Sequence, residues 1–279
     1  LRQELKEPKA QVAAIGLAGE NRVYFASIEQ GRSSASRGGI GAVMGDKGVK
    51  AIVVRGTKDL NVAQPAEYLQ LCTEVLEYMK IRNENPVPGV MPILAGLGSP
   101  QEMKVHDEKW HTENFMWGNS RTRRKDFWNE EIAKEWFETM ETMRTRLISC
   151  FNCPMTCGAT ISPPGRPTYM MKCFTKLTYT MAAMSDLEFG LGIAQSATEY
   201  GVDGFSAPQV MAFALELYED GILTDDDFPG MPSDNEGRFY YLLDKIVRRE
   251  GIGDVLANGT YWAAKEIGNG AEAYAHNTI

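Results

Sequence analysis

The sequence predicts an α+β fold, with a β-rich stretch over residues 1–60 and a mainly helical region over 61–279. Three observations predict it. Short β-branched and aromatic runs, separated by glycine-rich turns, fill the first sixty positions. After Pro65 the apolar residues recur at helical spacing. Beyond residue 186 that spacing is punctuated by capping residues and terminal glycines, the marks of successive helices.

In order, Arg22–Ile28 alternates apolar and small residues and reads as a strand, and Lys50–Arg55 (KAIVVR) reads as a buried one. Gly31–Lys47 between them is too rich in glycine and serine for either regular structure. Glu67–Met79 reads as the first helix and Asn85–Ser99 as a Pro/Gly-rich loop. Phe127–Ile148 reads as an amphipathic helix with Trp136 on its apolar face. Asp186 is placed to cap a helix running through Tyr200 and ending at Gly201. Pro208 opens Gln209–Glu219, which ends at Gly221. Arg238–Arg249 and Asp254–Ile267 follow, separated by Gly251 and Gly253, while Asp225–Asp227 reads as a solvated turn.

Composition narrows the function. With 29 basic and 37 acidic residues the net charge is −8, which argues against nucleic acid as the main partner. Five cysteines, three of them clustered, do not make a secreted disulfide framework. No apolar run is long enough to span a membrane and no signal-peptide core is present, so a cytoplasmic, reducing setting is expected. The chain opens at Leu1 and stops at His276-Asn-Thr-Ile279 without a closing element, and is expected to be an internal piece of a longer polypeptide.

Cys150-Phe-Asn-Cys153-Pro-Met-Thr-Cys157 places three thiols within a short loop with turn residues Asn152, Pro154 and Gly158. A [4Fe–4S] cluster takes thiolates in this way, its fourth ligand coming from elsewhere. Zinc would take the same sulfurs with a histidine, and buried structural cysteines are the third reading. Cys72, with Leu69 and Val75 on an apolar helix face, reads as structural. Gly38-Gly39-Ile40-Gly41-Ala42-Val43-Met44-Gly45 offers crowded backbone N–H groups flanked by Arg37 and Lys47. It reads either as a structural turn or as an anion cradle for a phosphate-bearing cofactor, and it matches neither the Walker nor the dinucleotide fingerprint.

Ile15-Gly-Leu-Ala-Gly-Glu-Asn21, the GGIGAVMGDKGVKAIVVRG stretch at Gly38–Gly56, the cysteine loop and the segment from Gly251 follow one another in an order that resembles the aldehyde:ferredoxin oxidoreductase family of tungsten enzymes. The resemblance runs in patches over nearly the whole chain. It implies tungsten held by two pyranopterin dithiolenes, a nearby [4Fe–4S] cluster, and a β-rich base domain covered by two helical domains. Residues 1–60 would end the pterin-binding base, and 61–279 would supply the helical domain that carries the cysteine loop. It makes Cys150, Cys153 and Cys157 cluster ligands, with the remaining cysteine outside the sequence. It makes Ala35, Arg37, Gly38, Gly39 and Gly41 part of a pterin-phosphate site, where the Ala35 carbonyl meets a bridging Mg²⁺. The family's Asp-x-x-Gly-Leu-Asp/Cys motif corresponds to Thr198-Glu-Tyr-Gly-Val-Asp203; Thr198 replaces the first acid, so Gly201 and Asp203 carry over most directly.

One departure separates this chain from aldehyde-oxidising members. Where they show Gly-Pro-Glu-Tyr-Glu, it reads Arg166-Pro-Thr-Tyr-Met-Met-Lys-Cys173. Two carboxylates are lost, and with them a base for attack of water on an aldehyde. A soft thiolate is gained, which reads as a tungsten ligand, a fourth cluster ligand or a small buried residue. The departure resembles the class II benzoyl-CoA reductase branch, which reduces the aromatic ring of an aryl-CoA to a cyclic dienoyl thioester. That implies a positioned proton donor, for which His111 is the candidate with Glu102 as second acid or orienting partner. The plainer reading is a solvated loop beside core aromatics. Arg121-Thr-Arg-Arg-Lys125 is a candidate for CoA phosphates or a solvated face. The partners expected are an aryl-CoA and a ferredoxin or small iron–sulfur subunit in a hetero-oligomer. The alternatives are aldehyde oxidation to the acid and a non-catalytic iron–sulfur or zinc module.

Overall fold

A computed structural model describes residues 1–31, 33–84, 135, 138–139, 142–148, 158–165, 168–172 and 187–275. The N-terminal part runs β1 (Gln11–Ile15), α1 (Leu17–Glu20), β2 (Ile28–Gln30), β3 (Ser33–Ala35), α2 (Ile40–Asp46), β4 (Ala51–Val54) and α3 (Pro65–Glu84). The strands form one antiparallel sheet in the order β3-β2-β1-β4. Its register sets Val12 opposite Val53, Ala14 opposite Glu29, and Glu29 opposite Ser34.

Several of these elements differ from what the sequence predicts. Arg22–Ser27 is a chain of turns, with Ala26 bridging Val202 and only Ile28 entering β2. Val23 and Phe25 are buried on either side of exposed Tyr24, but Ala26 and Ser27 are then buried in succession, so the two-residue alternation of a strand stops at Phe25. Arg22 also has φ +55°, which no strand residue adopts. Gly31–Lys47 is not irregular: it contains β3, paired with β2, and the glycine-rich helix α2. The strand at Lys50–Arg55 is present as β4, at the sheet edge, but it is not buried: Ile52 is 54% and Val54 58% exposed. β1 is not marked in the sequence, because its two alanines have little strand preference and its pairing with β4 and β2 places it.

A second antiparallel sheet joins β5 (Arg144–Ile148), β6 (Gly158–Ile161) and β7 (Tyr169–Lys172). The helix expected over Phe127–Ile148 therefore gives way at Arg144 to a strand, because pairing with β6 overrides the helical spacing. The cross-strand partners are Ile148 with Gly158, and Gly158 with Lys172.

The C-terminal part is helical: α4 (Leu187–Tyr200), α5 (Ser206–Glu219), α6 (Asn235–Arg248), α7 (Ile252–Leu256) and α8 (Thr260–Ile267), then a 3-10 turn at Ala271–Tyr274. Gly201, with φ +74°, ends α4. α5 begins at Ser206, two residues before Pro208, because the Asp203 carboxylate caps it. Asp234 caps α6 by accepting from the Gly237 N–H at 2.7 Å. The single helix expected over Asp254–Ile267 is two, broken at Gly259, whose φ of +83° no helical residue adopts.

Phe213, Phe239, Met211, Leu217, Leu242 and Ile193 centre the core, each fully enclosed, and Phe189 meets Phe239 edge-on at 6.1 Å between ring centroids. Burying a side chain of this size contributes about 1.5–3 kcal/mol. Ala18, Val23, Phe25 and Ala26 enter the same core, so the α1–β2 segment is built onto the helices. Among the described residues, no helix is long and apolar enough to cross a membrane.

Candidate functional site

The glycine-rich stretch Gly38–Gly45 forms the lead-in and nearly all of α2, and its glycines bring the backbone onto α1 and onto Tyr24–Ser27 beyond it. A Cβ on Gly45 would overlap the Gly19 carbonyl oxygen, and one on Gly39 the Tyr24 carbonyl oxygen. A Cβ on Gly41 would lie 2.6 Å from Ser27 O, and the Gly41 N–H donates to Ala26 O at 3.1 Å. These glycines are there for close backbone approach, which offsets their poor helix propensity. Gly38 differs: its φ is +91° and open space surrounds its Cα. The N–H groups of Gly38, Gly39 and Ile40 donate no hydrogen bond among the described residues.

The turn after α4 meets this loop. Gly201 lies so close to Gly16 that a Cβ on either would strike the other's backbone, and Gly201 O accepts the Ser27 N–H at 2.8 Å. Asp203 is 2% exposed; its Oδ2 accepts from Ser206 N at 2.8 Å and Ser206 Oγ at 2.6 Å. Its own N–H donates to Phe25 O at 2.9 Å. Arg37 Nε lies 3.9 Å from the same Oδ2, and the guanidinium stacks 4.8 Å above the Phe205 ring. Arg37, Gly38, Gly39, Gly41, Gly201 and Asp203, far apart in sequence, are thus brought to one junction.

Two residues sit less centrally. Ala35 ends β3, paired with Ile28 and exposed. Thr198 is exposed on the last turn of α4, where its hydroxyl donates back to Ala194 O at 2.8 Å. Below it, Tyr200 donates its hydroxyl to Asp244 Oδ1 at 3.2 Å. Partial burial, then the neighbouring carboxylate, hold this phenol above its ordinary value.

A polar network at the junction is not apparent from sequence. Fully buried Ser27 and exposed Ser34 both donate to Glu29 Oε1, at 2.6 and 2.7 Å, and Ser34 Oγ lies 2.6 Å from Ser36 Oγ. Polar residues at alternate positions across the β2–β3 hairpin are its only sequence signal.

Cys150, Cys153, Cys157, Cys173, Glu102, His111 and Arg121–Lys125 lie outside the described residues. The strands next in sequence to the four cysteines are described: Ile148 and Lys172 both pair with Gly158. At Thr168, one position where a carboxylate would favour aldehyde chemistry, the hydroxyl instead lies 2.7 Å from Ser162 Oγ. Among the described residues no group of His, Cys, Asp or Glu is arranged to hold a metal, and Cys72 is half-buried on α3.

Comparison with known proteins agrees with this architecture. Residues 1–56 match the N-terminal domain of aldehyde ferredoxin oxidoreductase, and residues 74–278 match domains 2 and 3 of aldehyde ferredoxin oxidoreductase. A tungsten-containing aldehyde ferredoxin oxidoreductase of Pyrococcus abyssi is 33% identical over 98% of this chain and 44% of its own length. The WOR-like subunit of an aliphatic sulfonate oxidoreductase of Pyrococcus furiosus is 29% identical over 94% of this chain and 41% of its own. A solved chain from the active site complex BamBC of benzoyl coenzyme A reductase, with 1,5-dienoyl-CoA, is 78% identical over 100% of this chain and 43% of its own, with TM-score 0.87. The chain therefore spans less than half the length of these relatives. With its N-terminal glycine seam and its helical part both accounted for by the same family, this chain belongs to the aldehyde ferredoxin oxidoreductase family.

Proposed function

We propose that the whole protein is a tungsten-dependent reductase of the aromatic ring of benzoyl-CoA or a similar aryl-CoA. The observation that carries this reading is the 78% identity, over the entire chain, to the benzoyl-CoA reductase chain solved with 1,5-dienoyl-CoA. The curated tungsten aldehyde oxidoreductases are far more distant, at 33% or less.

The junction suits a phosphate-bearing pterin. Gly38 leaves room above the loop, three successive N–H groups lack partners among the described residues, and Arg37 brings positive charge. The carboxylate of Asp203 does not oppose an anion strongly, because it is capped by Ser206 and faces Arg37. On this reading Arg37 and the Gly38–Gly41 backbone hold the pterin phosphates, and the Ala35 carbonyl meets their Mg²⁺. Gly201, Asp203 and Thr198 border the pterin. Cys150, Cys153 and Cys157 hold a [4Fe–4S] cluster, and Cys173 ligates tungsten. Residues 1–60 form the end of a pterin-binding base and 61–279 the helical domain.

A bound tungstopterin would supply electrons to the ring at low potential. The ring takes up two electrons and two protons and becomes the dienoyl thioester. His111 would deliver a proton, with Glu102 as second acid or orienting partner, and an aromatic-lined slot would keep water out. The electrons would come from a ferredoxin or iron–sulfur subunit in a cytoplasmic hetero-oligomer.

The test is an anaerobic assay of the full-length protein with benzoyl-CoA and a low-potential donor, beside an aldehyde with a viologen acceptor. A dienoyl-CoA product, lost in His111→Ala, supports ring reduction. Aldehyde turnover with an untouched ring would replace it with the second reading, acid formation, which the tungsten aldehyde oxidoreductase relatives favour. Neither activity, with iron but no tungsten or pterin, would leave an electron-transfer module.

A further inference from the structure

We propose that Arg249 is a positioning residue for the Ala35–Gly41 loop, acting through the Asn21–Ser27 segment against which that loop packs. The inference rests on the cofactor role proposed for the loop. Arg249 follows α6 with φ +54°, a left-handed backbone that disfavours any residue bearing a Cβ. Its side chain uses that placement fully. Nε donates to Asn21 O at 2.7 Å, and Nη2 donates to Arg22 O at 2.8 Å and Asn258 Oδ1 at 3.1 Å. Nη1 donates to Asp254 Oδ1 at 2.7 Å and to Asp254 O at 3.2 Å. Asn21 returns the contact, its Nδ2 donating to Val247 O at 2.7 Å.

The clamped segment has no ladder of its own. Asn21–Ser27 is held at its start by Arg249, at Tyr24 by an N–H donated to Ala257 O at 2.9 Å, and at Ser27 by the bond to Gly201 O at 2.8 Å. Its Tyr24 and Ala26 carbonyls are the surface on which Gly39 and Gly41 rest, with no Cβ gap to absorb a shift. Displacing the segment therefore displaces the loop. Only a planar, five-donor guanidinium reaches Asn21, Arg22, Asp254 and Asn258 together; a lysine ammonium reaches fewer of them.

The test uses the full-length anaerobic holoenzyme and its Arg249→Gly, Arg249→Lys, Asn258→Ala and Gly39→Ala variants. Glycine suits the left-handed backbone, so Arg249→Gly removes the clamp without adding strain. Amide exchange at Tyr24, Ser27 and Gly41 should accelerate by about tenfold or more, while Phe213 and Leu217 in α5 keep their protection. Pterin and tungsten should dissociate severalfold faster, with Arg249→Lys intermediate. Should Arg249→Gly fail to fold, Asn258→Ala, which removes one anchor, should show the same local pattern at smaller amplitude. Unchanged exchange at Tyr24 and Gly41, or equal loss of protection in α5, would overturn the proposal. Gly39→Ala separates the two readings: if it retains pterin, the cofactor role of the loop fails. If it loses pterin while Arg249→Gly keeps it, the positioning role alone fails.

Discussion

The α1–α2 seam and helix α3 make an instructive pair. The seam is short, four and seven residues of helix, yet its backbones touch where Gly45 meets Gly19, and Gly39 and Gly41 rest as closely on Tyr24–Ser27 just beyond α1. α3 is twenty residues long, yet Leu69, Leu71, Val75 and Leu76 are all exposed and its described side chains contribute nothing to the core. Length and regularity are therefore poor guides to what a segment contributes. Position in the seam depends on contacts that cannot relax, whereas among the described residues α3 puts no side chain into the core cluster.

The largest break should come at Gly45→Ala. The added methyl must push α1 from α2, costing about 3 kcal/mol in urea unfolding of the full-length protein. A loss near zero would mean the seam breathes freely. Next is Asp203→Ala, which strips the cap from α5 and leaves the Ser206 N–H and hydroxyl without their acceptor. It should cost about 1–2 kcal/mol, and Asp203→Asn, which still accepts, should recover most of that. A smaller effect is expected at high pH. Tyr200 ionises less readily folded than unfolded, so its stability contribution is present below about pH 10 and lost as pH rises through the folded value. Tyr200→Phe should make the alkaline decline of stability shallower, measured as urea midpoints across that range. The smallest is Leu71→Ala on α3, 58% exposed, expected within about 0.5 kcal/mol. A loss of several times that would show the face of α3 covered in the full-length protein.

Much of this contrast was legible in the sequence, and the rest was not, for physical reasons. Gly201 and Gly221 end their helices as the sequence predicts, and Arg37 and Asp203 both belong to motifs that the sequence marks, in different parts of the chain. Their meeting was not visible, because it depends on the Ala26–Val202 bridge and the Phe25–Asp203 hydrogen bond. Glycine has the propensity of a turn, which hides α2 in the sequence; its backbone contacts with Gly19 and with Tyr24–Ser27 account for the glycines in the helix. In the sequence Arg249 is only the last residue of the expected helix Arg238–Arg249, since its partners Asn21 and Arg22 lie at the other end of the chain. The Glu29 network escaped for the same reason at short range: hydroxyl partners across a hairpin appear only once the register is known.

The most direct test of the account is a crystal structure of the anaerobic full-length protein with a tungsten-edge anomalous map. The account predicts pterin phosphate oxygens within hydrogen-bond reach of the Arg37 guanidinium and the Gly38–Ile40 N–H groups, with the tungsten peak beside Cys173. A tungstopterin whose phosphates sit away from this loop, or no tungsten peak at all, would contradict it.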